Sequence, residues 1–369
     1  MLNEDALTPG SWQKSLAGLG LDWRPAAEPD LKAWAALIAR TAEVEKPVWF
    51  ERAADLEQIL QSKKNPPTAN TLLVLDSQSV PRAYARITKN KEGDKAYGFG
   101  CVDPAWQRRG IGMALLGWLS ERTVQRFAED NQPQADPSSP DRSSPDQPAG
   151  ERVGGERPDG QRPAPRLRIH MEQQHEHQQQ LLRKAGFRVV RYYNEMHRRL
   201  GGVLLPAVRL ADGLDLVTMR PELSEDVRLA HNAAFRDHWG SEPRDEESWG
   251  FIVNDPQARP DLSAVVLDRS SGIVAGYQLA THDPDSAVSR GYSEGYTDLL
   301  GVRREYRGRG IAQALLADAM RRFAAAGMDR ASLDVDSENP TGALALYEKM
   351  GYAAVNRSLA WDKELPAQG

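Results

Sequence analysis

The stretch that decides the fold is Val302-Arg303-Arg304-Glu305-Tyr306-Arg307-Gly308-Arg309-Gly310-Ile311-Ala312. It follows a strand-like apolar run over residues 296–302 and opens an amphipathic helical pattern over residues 310–326. The N-terminus of a helix carries unpaired backbone N–H groups and a partial positive charge, so it attracts an anion. Because glycine lets a phosphate group approach the main chain closely, this stretch predicts a cradle for a diphosphate.

The predicted cradle differs from the two common phosphate-binding motifs. No Lys-Ser or Lys-Thr follows the second glycine, which excludes a P-loop, and the spacing is not the Gly-x-Gly-x-x-Gly of dinucleotide-binding domains. Taken alone, the stretch also fits a glycine-rich surface turn with solvated arginines. A similar stretch recurs in the first half of the chain, again after a strand, and this recurrence favours the cradle.

An internal repeat organises the chain. Residues 109–116 align with residues 309–316 at an offset of 200, whereas residues 184–187 resemble residues 349–352 at an offset of 165. The difference of 35 residues matches residues 131–165, which hold eight prolines, four glycines and no aromatic residue. Such a segment buries too little apolar surface to offset the entropy of ordering it, so we expect a disordered loop inserted in the first copy.

The length of 369 residues and the 40% of apolar residues are enough for two domains, each with its own core. Strand and helix patterns alternate similarly in both copies, so each half is expected to be a mixed α/β layer. The expected division is residues 1–20 as an N-terminal extension, 21–200 and 214–369 as the two domains, and 201–213 as the linker.

Composition restricts the partners. The chain has 47 Lys and Arg against 52 Asp and Glu, and this net charge of -5 argues against nucleic acid. No apolar run is long enough to span a membrane, and the first 20 residues do not form a signal peptide, so we expect a cytoplasmic protein. The single cysteine, Cys101, excludes an intrachain disulfide, and no set of residues makes a convincing metal site, so no metal is expected.

Both halves resemble the GNAT acetyltransferase superfamily. The resemblance rests on the spacing Arg/Gln-x-x-Gly-x-Gly/Ala in each copy and on residues 334–352 of the second, DVDSENPTGALALYEKMGY. It implies two tandem GNAT-like domains, each a mostly antiparallel mixed sheet flanked by helices. It also implies acetyl-CoA as co-substrate, with its pyrophosphate on the glycine turn. The cofactor-binding residues implied in the second copy are Leu300, Val302, Arg307, Gly308, Arg309, Gly310, Ile311, Ala312 and Asn339, and those in the first are Gln107, Arg109, Gly110 and Gly112.

Two residues of the second copy are candidates for the chemistry. The resemblance implies that Tyr347 is the acid that protonates the departing thiolate, although a packed aromatic residue is the alternative interpretation. Asn339 and the following Pro340 predict the start of the helix that carries Tyr347. Asp298, on the strand before the cradle, is the candidate base, and the alternative is a solvated strand-edge acid. Other candidates for the base are Glu294, His231, His238 and His282.

The first copy keeps its cradle but lacks the acid. By the same alignment, Leu182 stands where the second copy has Tyr347, and Gln174 stands where it has Asn339. Leucine cannot donate a proton, so the first domain is expected to be degenerate, with or without bound CoA.

We therefore expect an acetyl-CoA-dependent N-acetyltransferase that moves the acetyl group directly to a primary amine of a small molecule. Direct transfer is favoured because the only thiol, Cys101, lies in the first copy. The alternatives are a non-catalytic acyl-CoA-binding sensor or scaffold and an acetyltransferase acting on a protein N-terminus. The protein is expected to be a monomer or a homodimer.

Overall fold

The computed structural model describes residues 10–91, 93–130, 164–236, 238–339 and 342–366. These residues form two compact units, each a mixed sheet flanked by helices. Unit 1 comprises the described residues of Met1–Ile169, His177–Arg188 and Trp361–Gly369, and unit 2 those of His170–Glu176 and Val189–Ala360. The predicted α/β fold, in which mostly antiparallel mixed sheets carry helices, is confirmed.

The two compact units are not continuous in sequence, and the domain division expected at residues 201–213 stays a prediction. Residues 189–199, which end the first copy in sequence, belong to unit 2, and residues 361–366, which end the second copy, belong to unit 1. Each copy therefore gives its last strand, or part of it, to the other unit. Of the predicted disordered insert at residues 131–165, residues 131–163 lie outside the described residues.

Unit 1 is built on an antiparallel run of four strands, β1 to β4, and β4 then pairs in parallel with β5. Within the expected N-terminal extension, a helix packs into this unit and buries Trp12 and Leu16. In chain order to residue 188 the elements are α1 (Ser11–Ala17), β1 (Asp22–Arg24), α2 (Leu31–Glu45), α3 (Ala53–Gln61), α4 (Pro67–Asn70), β2 (Thr71–Leu75), β3 (Pro81–Thr88), β4 (Ala96–Val102), α5 (Ile111–Asp130), β5 (Arg166–Glu172) and α6 (Glu176–Lys184).

The sheet of unit 2 runs in the order β6-β11-β10-β9-β8-β7. Only β10 and β11 are parallel, and the other neighbours are antiparallel. No helix in the described part of the chain is long and apolar enough to cross a lipid bilayer. The remaining elements are β6 (Arg188–Arg199), β7 (Leu214–Thr218), α7 (Ser224–Ala234), α8 (Glu246–Val253), β8 (Ala264–Asp268), β9 (Val274–Thr281), α9 (Ser286–Arg290), β10 (Glu294–Val302), α10 (Ile311–Ala325), β11 (Arg330–Asp336), α11 (Ala343–Lys349) and β12 (Ala353–Glu364).

Helices cover both faces of the unit 2 sheet. On one face, which we call the α10 face, α10 and α11 bury Phe323 and Tyr347 against Leu333 of β11. On the other, the α7 face, α7 and α8 pack around Tyr277 of β9 and Trp249. Because side chains alternate along a strand, successive residues of β10 serve the two faces in turn, except between Thr297 and Leu299, where the register against β9 shifts. The strands thus carry one row of side chains to each helical layer.

Candidate functional site

The predicted cradle forms between β10 and α10. β10 leads into a short 3₁₀ turn, Arg304–Tyr306, and the chain then reaches α10 through Gly308 and Gly310. These glycines have φ angles of 77° and 74°, in the left-handed region where an L side chain is strained. A β-carbon at either glycine would meet no atom of the described residues within 4 Å. The turn therefore presents bare backbone to an open space that an anion can enter.

Backbone donors line this space. Among the described residues, the N–H groups of residues 308–313 have no protein acceptor. The first turn of a helix leaves such groups unpaired, and the positive end of the helix dipole adds to their attraction for an anion. The turn thus fits a diphosphate group, which needs several donors and close approach to the main chain.

The two cradle arginines predicted as phosphate ligands are engaged by neighbouring groups. Arg307 donates from Nη2 to the carbonyl oxygen of Ala234 at 2.8 Å and from Nε to that of Val302 at 3.3 Å. It therefore braces the turn against the ends of α7 and β10. The guanidinium of Arg309 lies over the ring of Tyr306, 5.2 Å from its centre. The backbone N–H groups remain the principal anion donors of this turn.

β10 and β11 separate just before the cradle. The last pair of their parallel register is Thr297 with Leu333. Both strands continue, β10 to Val302 and β11 to Asp336, so an opening forms between their carboxyl ends. We call the opening between residues 298–302 of β10 and residues 334–336 of β11 the cleft.

Two backbone N–H groups of β10 point into the cleft. On its other edge, β10 stays paired with β9, and the N–H of Arg303 donates to the carbonyl oxygen of Ala275 at 3.0 Å. Because N–H groups alternate in direction along an antiparallel strand, those of Leu300 and Val302 point away from β9, into the cleft. These are the two residues that the family resemblance implied.

Asp298 occupies a β-bulge at the mouth of the cleft. The register of β10 against β9 shifts between Thr297 and Leu299, so Asp298 is an extra residue with no partner on β9. Within the described part of the chain, its carboxylate makes no hydrogen bond or ion pair. It reaches solvent, yet desolvation by the surrounding protein raises its pKa to about 6. The charge of Arg244 lowers this pKa and that of Asp255 raises it, both more weakly.

A second carboxylate stands on β11 where the pairing with β10 ends. Asp334 is the first residue of β11 after the pairing ends, and it accepts a hydrogen bond from Tyr296 of β10. Desolvation raises its pKa to about 6 as well, against the lowering effect of that hydrogen bond. Asp334 lay in the quoted segment 334–352, but its role went unrecognised because only pairing in the sheet brings it beside Tyr296.

Tyr347 lies on α11 with its ring buried on the α10 face, 9% exposed, against Tyr352. Burial raises the pKa of the Tyr347 phenol to about 12. Its hydroxyl has no hydrogen-bond partner among the described residues, although it is not sealed from solvent as the hydroxyl of Tyr352 is. Tyr347 is therefore both a packed aromatic residue and a protonated phenol with an unused proton.

The predicted start of this helix at Asn339 is wrong. α11 begins at Ala343, after Gly342 with a φ angle of 74°. The preceding loop folds back on the end of β11, where the N–H of Asn339 donates to the carbonyl oxygen of Asp336 at 3.1 Å. Arg191 of β6 holds the same loop through ion pairs to Asp336 and Glu338, so the chain cannot enter a helix at Asn339.

The other candidates for the base are held in structural contacts. His231 is buried, and its Nδ1 lies 2.6 Å from the hydroxyl of Tyr277, while desolvation lowers its pKa to about 4. His238 stacks on Phe235, and burial lowers its pKa too. Nδ1 of His282 lies 2.8 Å from the carbonyl oxygen of Glu294.

Glu294 belongs to a buried charged cluster. Its carboxylate, the carboxylate of Glu195 and the imidazole of His197 offer ligand atoms within 4.8 Å of one another. Arg290 forms ion pairs with both glutamates, and His197 bonds to Glu195 at 2.9 Å. The guanidinium of Arg290 already neutralises charge on these carboxylates. The expectation of no bound metal stays a prediction.

The first copy has a narrower cradle. Arg108 takes the place of Gly308 and keeps the left-handed φ, at 63°, so a side chain stands where unit 2 has open space. A β-carbon on Gly112 would lie 2.9 Å from Leu181, which therefore covers the first turn of α5. Gln107, like Arg307, donates to the carbonyl at the end of the preceding strand, Val102, at 3.3 Å. Arg109 lies over the ring of Trp106.

The first copy also lacks both chemical groups. Leu182 is buried where the second copy has Tyr347, and Gln174 hydrogen-bonds to Glu172 at 2.7 Å. The register of β4 against β3 runs from Val102 to Tyr97 without a shift. At the same offset of 200, Gly98 stands where the second copy has Asp298, and it pairs with Ile87 of β3, so unit 1 has neither the bulge nor a carboxylate at this position.

We expect the carboxyl group of Asp298 to titrate near pH 6, because desolvation disfavours its charged form. Carbon-detected NMR of labelled protein, with Asp298→Asn to assign the signal, measures the midpoint. In Arg244→Gln the midpoint should rise, since a charge that favours the carboxylate is removed. A midpoint near ~4, the value of a solvated aspartate, would contradict this desolvation of the carboxylate.

Comparison with known proteins agrees with this geometry. The sequence profile of the acetyltransferase (GNAT) family matches residues 224–352. The mycothiol acetyltransferase of Streptomyces coelicolor is 27% identical over 201 residues, which cover 54% of this chain and 62% of that protein. The mycothiol acetyltransferase of Salinispora tropica is 32% identical over 158 residues, which cover 40% of this chain and 48% of that protein. The chain thus matches less than two thirds of the length of these curated relatives.

Solved structures share the fold over almost the whole chain. A GCN5-related N-acetyltransferase from Sphaerobacter thermophilus has a TM-score of 0.64 and 22% identity, covering 94% of this chain and 97% of that one. A tandem GNAT protein from the clavulanic acid biosynthesis pathway has a TM-score of 0.63 and 16% identity, covering 95% and 100%. Residues 224–352 thus resemble the GNAT acetyltransferase family, and the chain shares the fold of solved GNAT proteins, one of them a tandem GNAT protein, over almost its whole length.

Proposed function

We propose that unit 2 transfers an acetyl group directly from acetyl-CoA to a primary amine of a small molecule. One observation carries the proposal: the cleft between β10 and β11 opens at Asp298, receives the N–H groups of Leu300 and Val302, and ends at the glycine cradle. A base, oxyanion donors and a diphosphate seat therefore follow one another along a single strand and turn.

The cradle and the cleft suit the two ends of acetyl-CoA. When bound, acetyl-CoA supplies an acyl carbon activated by its thioester. Gly308 and Gly310 leave open space in front of unpaired N–H groups, as a pyrophosphate requires. The N–H groups of Leu300 and Val302 are fixed donors for the negative charge that develops on the thioester oxygen.

Asp298 is the proposed base. A pKa of about 6 keeps most of its carboxylate ionised at neutral pH, yet close enough to neutrality to accept a proton from an amine. As the pH falls through 6, Asp298 becomes protonated and loses this ability. The second carboxylate, Asp334, adds negative charge at the mouth of the cleft, which favours an amine arriving as the cation.

Tyr347 is the proposed acid. The sulfur of CoA leaves as a thiolate unless it receives a proton, and the phenol of Tyr347 stays protonated at neutral pH because its pKa is near 12. The only cysteine of the chain, Cys101, belongs to unit 1, and burial raises its pKa to about 12. Unit 2 therefore has no thiol that could carry the acetyl group, which favours direct transfer.

Unit 1 is proposed to be a degenerate copy. It lacks the bulge carboxylate and the phenol, and Arg108 and Leu181 narrow its cradle. The mycothiol acetyltransferases that resemble this chain are named for one acceptor, and we propose only the wider class, a small-molecule amine. The experiments below distinguish this enzyme from two alternatives. One is a sensor that binds acetyl-CoA without turnover, and the other is an enzyme that acts on protein N-termini.

Gly310→Val should weaken acetyl-CoA binding at least about 10-fold, because valine is strained at this φ by roughly 1 to 2 kcal/mol and fills the space of the diphosphate. The matched variant Gly110→Val, whose glycine has a φ angle of 88°, should leave this affinity unchanged. Calorimetry on the full chain measures both. A loss of affinity in Gly110→Val alone would assign CoA to unit 1 and contradict the proposal.

Tyr347→Phe should lower kcat by about 10- to 1000-fold and keep acetyl-CoA affinity, in line with the loss of a general acid. The measurement is free-thiol release across an amine panel that includes short peptides. Tyr352→Phe is the control, because it removes a neighbouring buried hydroxyl that has no partner. Unchanged turnover in Tyr347→Phe removes the proposed acid, and tight binding without thiol release on any amine favours the sensor.

A further inference from the structure

One half-buried guanidinium beside the cleft has no anion to pair with. Within the described residues, the side chain of Arg244 makes no hydrogen bond or ion pair, and its Nε is shielded from solvent. Other half-buried arginines of unit 2 do have acceptors. Arg191, Arg228 and Arg290 pair with carboxylates, and Arg198 and Arg303 donate to backbone carbonyl oxygens. A charge withdrawn from water normally has a counter-charge, so Arg244 points to an anion that arrives with a ligand.

The main chain holds Arg244 firmly in place. Its N–H donates to Oδ1 of Asn232 at 2.8 Å, and its carbonyl oxygen accepts from Nδ2 of Asn232 at 3.0 Å and from Nη1 of Arg228 at 2.8 Å. Both partners lie on α7, so the loop before α8 presents the Arg244 side chain from a fixed base. Such anchoring limits the entropy lost when the side chain binds an anion.

The anchor sits on the same face as the proposed base. Beside Asn232 on α7, His231 lies 2.6 Å from the hydroxyl of Tyr277 on β9, and Tyr277 pairs with Gly301 of β10. Asp298 precedes Gly301 by three residues on that strand. The charge of Arg244 acts on the pKa of His231, Tyr277 and Asp298, which agrees with this placement.

The surroundings select the kind of anion. Asp298 and Asp255 already bring negative charge to this region, and each would repel a dianionic phosphate. A single carboxylate matches one guanidinium in charge and in its paired hydrogen bonds. The Asp298 side of the cleft meanwhile suits the amine of the same molecule.

We propose that Arg244 binds a carboxylate of the acceptor, so that the substrate is a free amino acid or a closely related amine that bears a carboxylate. This inference rests on the proposed function and narrows its acceptor. Arg244 is a specificity-determining residue in this account, and Asp298 remains the group that takes the proton.

The test compares standard amino acids with their carboxamides on the full-length protein, by free-thiol release with acetyl-CoA. The wild type should prefer the carboxylate form by at least about 10-fold in kcat/KM, the range of a charge-assisted hydrogen bond. Arg244→Gln should raise KM for that form by a similar factor, with kcat little changed, and remove the preference. Arg244→Lys should restore part of it, because the charge returns without the planar fork.

Arg209→Gln, which removes an exposed arginine from the segment before β7, is the control for net charge. Acetyl-CoA affinity and the melting temperature check that each variant is folded. A wild type that accepts carboxamides equally well, as an enzyme for protein N-termini would, overturns the inference. So does an Arg244→Gln variant that keeps the preference.

Calorimetry with the same two sets of compounds and CoA-loaded protein separates this inference from the proposed function. Carboxylate-dependent binding that is lost in Arg244→Gln supports the inference even if no compound is acetylated, in which case the proposed function fails alone. If no amino acid is bound or acetylated in preference to its carboxamide, the inference fails, and thiol release with other amines would leave the proposed function intact.

Discussion

The separation of β10 from β11 after Thr297 and Leu333 is the constraint on which the site depends. Parallel strands that stayed paired to their ends would bond the N–H groups of Leu300 and Val302 to β11 and leave no room for a ligand. The bulge at Asp298 explains where pairing stops, because an extra residue bends and twists its strand. The same residue carries the carboxylate that we propose as the base, so one local irregularity accounts for both the opening and the position of this group.

Unit 1 shows what the fold does without that irregularity. β4 and β5, like β10 and β11, are parallel strands that pair over only part of their length, here Ala96 with Leu167 and Tyr97 with Arg168. Beyond them, a β-carbon on Gly98 would lie 3.1 Å from Leu167 and 3.3 Å from Ile169, so apolar side chains fill the region. With no bulge, no phenol and a side chain at Arg108, this copy keeps the mixed sheet and its helices and lacks the groups that we propose for acyl transfer in unit 2.

The sequence was sufficient for those features that depend on local chemistry. The glycine turn, the long helix after it and the missing phenol at Leu182 follow from residue types at fixed spacing, and the structure has them where expected. The prediction of a helix start at Asn339 was wrong because Asn339 bonds back to Asp336 and Arg191 holds the same loop; the contact with Arg191 is distant in sequence. The sequence did not predict a role for Arg244 for a similar reason: that its guanidinium has no acceptor follows only from the positions of all its neighbours in the fold. The exchange of last strands between units leaves no mark in the local pattern either.

The proposed site requires that CoA binds at the cradle and the cleft of unit 2. The most direct measurement is therefore a crystal structure of the full chain with CoA bound. We expect the pyrophosphate on residues 308–312 and the sulfur in the cleft, between the N–H groups of β10 and the hydroxyl of Tyr347. Residues 108–112 of unit 1 should carry none. CoA bound at unit 1, or a sulfur outside the opening between β10 and β11, would contradict the central claim.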